Sequence, residues 1–195
     1  RTAEETFLDG DVTIKYPIVI RGDVTICLNG QTIQSKGGGM PVFEVQSDAT
    51  LTLTDCQNNK GKVTHASDGS GCGVKVESGG TFNMYGGKIT GNSAGFGGGV
   101  YTYGKFTMSG GSITNNTATE KGGGVLVGGG TFTVSGNVNI TNIKVNNERN
   151  NVYLSKANKT VIGVAGALSG GARTGASPEK RPVGSGQVAI GTGES

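Results

Sequence analysis

Enzymes that cut polysaccharides work with paired carboxylates, one acting as acid and one as base or nucleophile. The acidic residues are therefore the first place to look for chemistry. Asp9, Asp11, Asp23, Asp48, Asp55 and Asp68 all fall within the first 68 positions of the 195-residue chain. No two of them recur at a fixed spacing that would stack them on one face. Polysaccharide lyases need an acidic calcium-binding cluster and a basic residue to abstract a proton, and no such grouping is written here. His65 is the lone histidine, so no repeated Ser-His or Cys-His dyad exists. Cys56, His65 and Asp68 form the one mixed polar cluster. They are the weak candidates for a metal, but their spacing matches no recognised ligand pattern, and a polar corner loop is the ordinary reading. Cys27, Cys56 and Cys72 show no C-x-x-C spacing. Their odd, sparse count does not suggest a disulfide framework, and they are expected to be small buried apolar residues. No cofactor is expected.

The elements that would hold any site come from a repeat. Gly80-Thr81-Phe82-Asn83-Met84 returns as Gly104-Lys105-Phe106-Thr107-Met108 and as Gly130-Thr131-Phe132-Thr133-Val134. Earlier copies are Ala49-Thr50-Leu51-Thr52-Leu53 and Asp23-Val24-Thr25-Ile26. The aligned positions Val24, Leu51, Phe82, Phe106 and Phe132 are 27, 31, 24 and 26 residues apart. A second block, Gly97-Gly98-Gly99-Val100, matches Gly122-Gly123-Gly124-Val125 and Gly71-Cys72-Gly73-Val74. Phe43-Glu44-Val45 and Val152-Tyr153-Leu154 extend that series. A third block carries Ile33, Val63, Ile89, Ile113 and Ile140. Each period thus holds three short strands of alternating apolar residues.

Copies running in the same direction every 25 residues cannot be joined by hairpins. The chain must coil, with each strand parallel to its copy one turn on. That is an all-β parallel β-helix of about seven to eight coils of 24–31 residues, three strands per coil, each coil about 4.8 Å above the last. Glycine fits this reading: 38 of 195 residues, about 19% against a usual 7% or so, concentrated at corners that need positive φ or close backbone approach. Collagen is excluded because the spacing is not strict. Disorder is excluded by the apolar content and a net charge of only +3. Residues 1–20 are expected as a cap or first irregular coil, 21–154 as regular coils, and 155–195 as an irregular end and linker. Within that end, the stretch from Thr160 to Val164 and Gln187–Ile190 read as strands. Ser169 to Gly186 reads as loop, broken by Pro178 and Pro182. The chain reads as a piece of a longer protein with neighbouring domains. No apolar run is long enough to span a membrane, and no basic run points to nucleic acid.

Ile89-Thr90-Gly91-Asn92-Ser93-Ala94 before Gly97-Gly98-Gly99-Val100, and Ile113-Thr114-Asn115-Asn116-Thr117-Ala118 before Gly122-Gly123-Gly124-Val125, resemble the F-x-x-N-x-A and G-G-A-[ILV] repeats of polymorphic outer-membrane autotransporters. They are closer still to the GGxFxMSGGxIxxNxA…GGGV repeats of large Gram-positive bacterial surface proteins. The run through Asn151-Val152-Tyr153-Leu154 to Gly166-Ala167-Leu168 is similar to the segment that leads from such repeats to the next module. The resemblance spans roughly residues 20–170. It implies a right-handed β-helix of the pectin-lyase-like type and an extracellular, cell-surface location. Ile89 and Ile113 stand where the autotransporter motif has Phe, so outer-membrane placement is not carried over.

Function then depends on what the coils show to solvent. Between the inward residues of the glycine-preceded strands lie Glu44, Lys75, Tyr101, Leu126 and Tyr153, with Tyr103 beside them. Tyr101, Tyr103 and Tyr153, exposed, would anchor a glycan or a protein partner, with Lys75 and Glu44 adjoining. Another face carries Thr25, Thr52, Thr107 and Thr133, flanked by Thr50, Thr81 and Thr131. A flat threonine array would order ice, although Asn83 and Lys105 interrupt it, and threonine is also a good exposed strand residue. Arg21-Gly22-Asp23 is a turn tripeptide. Asn92, Asn115, Asn116 and Asn142 are expected to form side-chain ladders at the corners. The expected role is a non-catalytic adhesive, ligand-binding or spacer module of a bacterial surface protein, binding a host or bacterial glycan or surface protein. The alternative is a fragment of a carbohydrate-active enzyme.

Overall fold

The computed structural model describes residues 5–145, 148–155, 162–168, 173–174 and 176–178. The strands assemble into three seven-stranded parallel sheets, wound as a solenoid. The first sheet runs through Asp23–Cys27, Thr50–Thr54, Thr81–Met84, Lys105–Met108 and Thr131–Gly136. The second runs through Thr32–Ser35, Lys62–His65, Lys88–Thr90, Ser112–Thr114 and Asn139–Thr141. The third runs through Phe43–Val45, Val74–Val76, Val100–Thr102, Val125–Val127 and Val152–Leu154. No helix occurs among the described residues, in keeping with a chain rich in Gly, Thr and Asn. None, therefore, is long and apolar enough to cross a membrane.

Sequence period sets the register. Val24 pairs with Leu51, Leu51 with Phe82, Phe82 with Phe106, and Phe106 with Phe132. The parallel sheet therefore stacks like on like. The phenyl rings of Phe82, Phe106 and Phe132 lie with centroids 4.9 and 4.7 Å apart and planes 9° apart, matching the strand spacing of about 4.8 Å. Leu53, Met84, Met108 and Val134 form the adjoining column, and Val63, Ile89, Ile113 and Ile140 line the second sheet. All of these but the half-buried Val24 are buried, each contributing on the order of 1.5–3 kcal/mol.

The Gly-Gly-Gly-Val corner has two physical causes. Gly97 and Gly122 take φ of 58° and 63°, where a Cβ would be strained. A Cβ on Gly99 would stand 2.5 Å from the Gly124 carbonyl oxygen, so successive coils approach too closely for a side chain.

Three expectations are corrected. About five turns close over the core, not seven to eight. Dividing the chain by its period assigned every residue to a coil, yet the strands Glu5–Phe7, Val12–Ile14 and Ile18–Ile20 form only a half-exposed first layer. The coil also holds more than three strands in places. A fourth, four-stranded sheet joins Ser93–Phe96, Thr117–Lys121, Lys144–Val145 and Glu148–Arg149, the last pair antiparallel. The stretch expected as loop after Ser169 contains strands Arg173–Thr174 and Ala176–Pro178. Pro178 is on the outermost strand of its sheet, the place within a sheet where proline is tolerated. Of the strand expected over 160–164, residues 162–164 lie in the strand Ile162–Leu168, which runs four residues further, while 160, 161 and Gln187–Ile190 lie outside the described residues.

Candidate functional site

The third sheet places its outward residues in one row. Val19 pairs with Glu44, Glu44 with Lys75, Lys75 with Tyr101, Tyr101 with Leu126, and Leu126 with Tyr153. The row is open at one end and covered at the other. Val19 is exposed, Glu44, Lys75 and Tyr101 are half-buried, and Leu126 and Tyr153 are buried. The cover comes from the chain between the second and third sheets. Leaving Ser93–Phe96 and Thr117–Lys121, it reverses at Gly97 and Gly122 and presses on the row: a Cβ on Gly97 would stand 2.7 Å from Tyr101 Cβ, and one on Gly122 2.8 Å from Leu126 Cβ.

Tyr153 thus departs from the expected exposure. It is 7% exposed, its hydroxyl has no hydrogen-bond partner among the described residues, and the Lys121 ammonium lies 4.9 Å from its ring centroid. Tyr103 is exposed as expected, at 39%. Its hydroxyl is hydrogen-bonded to that of Tyr101, and the rings are tilted with centroids 4.9 Å apart. Phe96, which the strand alternation did not single out, adds a third ring 6.3 Å from Tyr101. Burial and then the bond to Tyr103 raise the Tyr101 pKa above the ordinary phenol value.

Where the cover begins, a groove of about 450 Å³ opens, within the usual size of small-ligand sites. Pro41 and Ser70 line one side, Phe96 and Thr119 the other, and Lys75 and Tyr101 the floor. Lys75 Nζ is 2.6 Å from Glu77 Oε1 and 3.6 Å from Glu44 Oε1. The hydrogen bond from Lys75 to Glu77 is the main cause of a raised lysine pKa, so the amine stays charged and has no lone pair with which to abstract a proton. Glu77 was not among the expected residues. It lies two positions after Lys75, on the same outward side of the chain, and period-2 alternation continued one residue beyond Val76 would have found it. Cys72 also borders this groove. Burial pushes its thiol up to about 12, so it stays protonated and unreactive.

The weak metal candidates Cys56, His65 and Asp68 are not free to act together as ligands. Cys56 is disulfide-bonded to Cys27, Asp68 is exposed, and His65 is buried with both ring nitrogens against protein oxygens. The disulfide also corrects the reading of the cysteines as unpaired buried residues, for Cys56 is exposed. The two are 29 residues apart, close to one coil, so stacking brings their Cα atoms to 6.5 Å, within bridging range. The period could have signalled this; neighbour spacing could not. Asp55, beside Cys56, accepts from the backbone N–H of Gly30 and Gly61 at 2.7 and 2.8 Å. That is a corner fastener.

The asparagine ladder is half of what was expected. Asn92 and Asn116 are buried and joined, Nδ2 of Asn92 donating to Oδ1 of Asn116 at 3.0 Å. Asn115 and Asn142 instead occupy the positive-φ corner positions, at 55° and 56°. The threonine face keeps its register, Thr25 to Thr52 and Thr107 to Thr133, with Asn83 set between Thr52 and Thr107. Arg21, Gly22 and Asp23 are exposed at the turn into the first-sheet strand. No protein-family model, curated protein or solved structure matches this chain.

Proposed function

We propose that the chain is a non-catalytic, extracellular ligand-binding module of a bacterial cell-surface protein, built on a right-handed solenoid of the pectin-lyase-like kind. The observation that carries the reading is the groove on the outward row. Two aromatic rings, Phe96 and Tyr101, and an ion-paired lysine line it, with Tyr103 packed against Tyr101, in a chain with an aromatic content of only 6%. Aromatic residues gathered beside oriented polar groups are the usual makings of a recognition surface. The repeat motifs support the surface location. The Cys27–Cys56 disulfide supports an oxidising compartment.

Two carboxylates also meet at Lys75, which gives the carbohydrate-active alternative its one structural motive. Against it, both are tied to the same ammonium, whereas hydrolysis needs one carboxyl kept protonated. A glycan array combined with a polysaccharide-cleavage screen tests the choice. Binding without cleavage is the expected result. Cleavage would turn the reading to an enzyme, and silence on glycans and surface proteins alike would leave a spacer.

A further inference from the structure

We infer that the groove floored by Lys75 and Tyr101 takes a neutral saccharide chain rather than an acidic one. This rests on the ligand-binding reading above and narrows it to one site and one ligand class.

Charge decides the first half of the argument. Lys75 is the one charged side chain among those lining the groove, and it is already paired with Glu77 and Glu44. One positive and two negative groups leave this cluster at −1. A uronate, sialate or sulfated sugar would bring its charge toward that surplus and find no unpaired cation in the lining, which like-charge repulsion disfavours. A cationic ligand fares no better, because the place between the carboxylates is filled by the lysine ammonium. A neutral ligand meets neither obstacle.

Shape and polarity decide the second half. Phe96 and Tyr101 supply ring surface to the lining, with Tyr103 packed against Tyr101, and pyranose rings carry apolar C–H faces that lie against aromatic rings. Their hydroxyls both donate and accept, so they can meet the Lys75 ammonium, which only donates, and the hydroxyls of Ser70, Ser93 and Thr119 in the lining. The two-faced character of a neutral sugar matches a groove with rings at one edge and an ion-paired cluster on the floor. The volume, about 450 Å³, sits in the small-ligand range.

The protein supplies its own reporter. It has no tryptophan and 5 tyrosines, so ultraviolet emission comes from tyrosine; Tyr101 lines the site and Tyr103 is packed against it. Cellohexaose, xylohexaose, mannohexaose and laminarihexaose are titrated against polygalacturonate and heparin while tyrosine emission is followed. At least one neutral hexasaccharide is expected to saturate the signal, with the acidic polymers weaker by about tenfold or more. Phe96→Ala and Tyr101→Ala are expected to raise Kd by at least about tenfold, the equivalent of about 1.4 kcal/mol. Tyr101→Phe, which keeps the ring, should stay within about threefold. Phe96 is 37% exposed, so its truncation leaves the core intact, and circular dichroism confirms the fold of each variant. Tighter binding of the acidic polymers would overturn the inference. So would neutral binding indifferent to both alanine variants, but then the module binds elsewhere and the broader reading survives. Absence of binding to these probes and to the whole glycan array would overturn both.

Discussion

Nδ1 of His65 lies 2.8 Å from Oδ1 of Asn92, across one coil spacing and inside the core. The Asn92 amide nitrogen faces three acceptors, the carbonyls of Val63 and Thr90 and the Asn116 side chain. This fixes the carboxamide orientation, so its oxygen must accept from the imidazole. Nε2 of His65 lies 3.0 Å from the Met40 carbonyl oxygen. With Nδ1 donating to Asn92, a neutral ring has no N–H left for Met40, so the imidazole packs between the loop before Pro41, one side of the groove, and a buried amide ladder rather than bonding to both.

Truncating that ladder should cost more than removing any exposed asparagine. Asn92→Ala strands the His65 N–H and the Val63 carbonyl without their partner. At about 1–3 kcal/mol for each buried unsatisfied group, the loss should be roughly 2–6 kcal/mol, read as a lower urea midpoint at unchanged m-value. Asn115→Gly should be close to neutral, because its task is a backbone φ of 55° that glycine adopts freely. Asn115→Ala should cost about 1–2 kcal/mol from the left-handed conformation alone.

These neighbours show where the sequence is legible and where it is not. Asn115 and Asn116 look alike as letters. One holds a corner and the other is a buried rung, and only the coil geometry separates them. The three strand rows were legible because alternation and period act on every residue: Leu51, Phe82, Phe106 and Phe132 fall into one column with no slip. The fourth sheet was not, because Ser93–Phe96 and Thr117–Lys121 do not alternate cleanly, and alternation is the strand signal. The outward row was correctly ordered from Glu44 to Tyr153, but its exposure was not. The cover over Leu126 and Tyr153 comes from those same unrecognised strands.

The phenylalanine stack gives a second prediction. Phe106 is fully buried between Phe82 and Phe132, so Phe106→Ala opens a cavity with a ring on both sides. A loss of about 3–5 kcal/mol is expected, measured by urea unfolding. Phe7→Ala, at an exposed position of the first layer, should change stability by no more than about 0.5 kcal/mol.

Cysteine chemistry supplies a third. Dithiothreitol or a Cys27→Ser/Cys56→Ser variant should lower stability by about 3 kcal/mol, since a bridge closing a one-coil loop restricts the unfolded chain by about that much. Thiol titration with Ellman's reagent should find no reactive thiol in the native oxidised protein and one after unfolding, namely Cys72. Equal reactivity before and after unfolding would contradict its burial.

The same cysteine predicts the alkaline limb of the stability curve. The folded thiol is pushed from 9.0 to about 12 by burial, so between those values the unfolded chain has released a proton that the folded chain still holds. Stability falls with rising pH wherever the unfolded state binds fewer protons. The Cys72 contribution is therefore complete below about pH 9 and is lost as pH climbs toward 12. Cys72→Ala should flatten that decline in urea midpoints measured from pH 8 to 11, and an unchanged slope would assign it to other groups.

The tyrosine pair can be disturbed without touching either tyrosine. A Cβ on Gly128 would stand 2.9 Å from Tyr103 Cε1 and 3.2 Å from Tyr101 Cε2. These are ring atoms that can swing, so Gly128→Ala should displace the rings rather than unfold the coil. The expected cost is under about 1.5 kcal/mol, with the main change in the near-ultraviolet circular dichroism of tyrosine, where the Tyr101–Tyr103 contact is reported. If the pair shapes the edge of the groove, the same variant should weaken saccharide binding while leaving the far-ultraviolet spectrum unchanged. A variant that lost its near-ultraviolet signal but kept full affinity would remove Tyr103 from the site and leave Phe96 and Tyr101 as its aromatic edge.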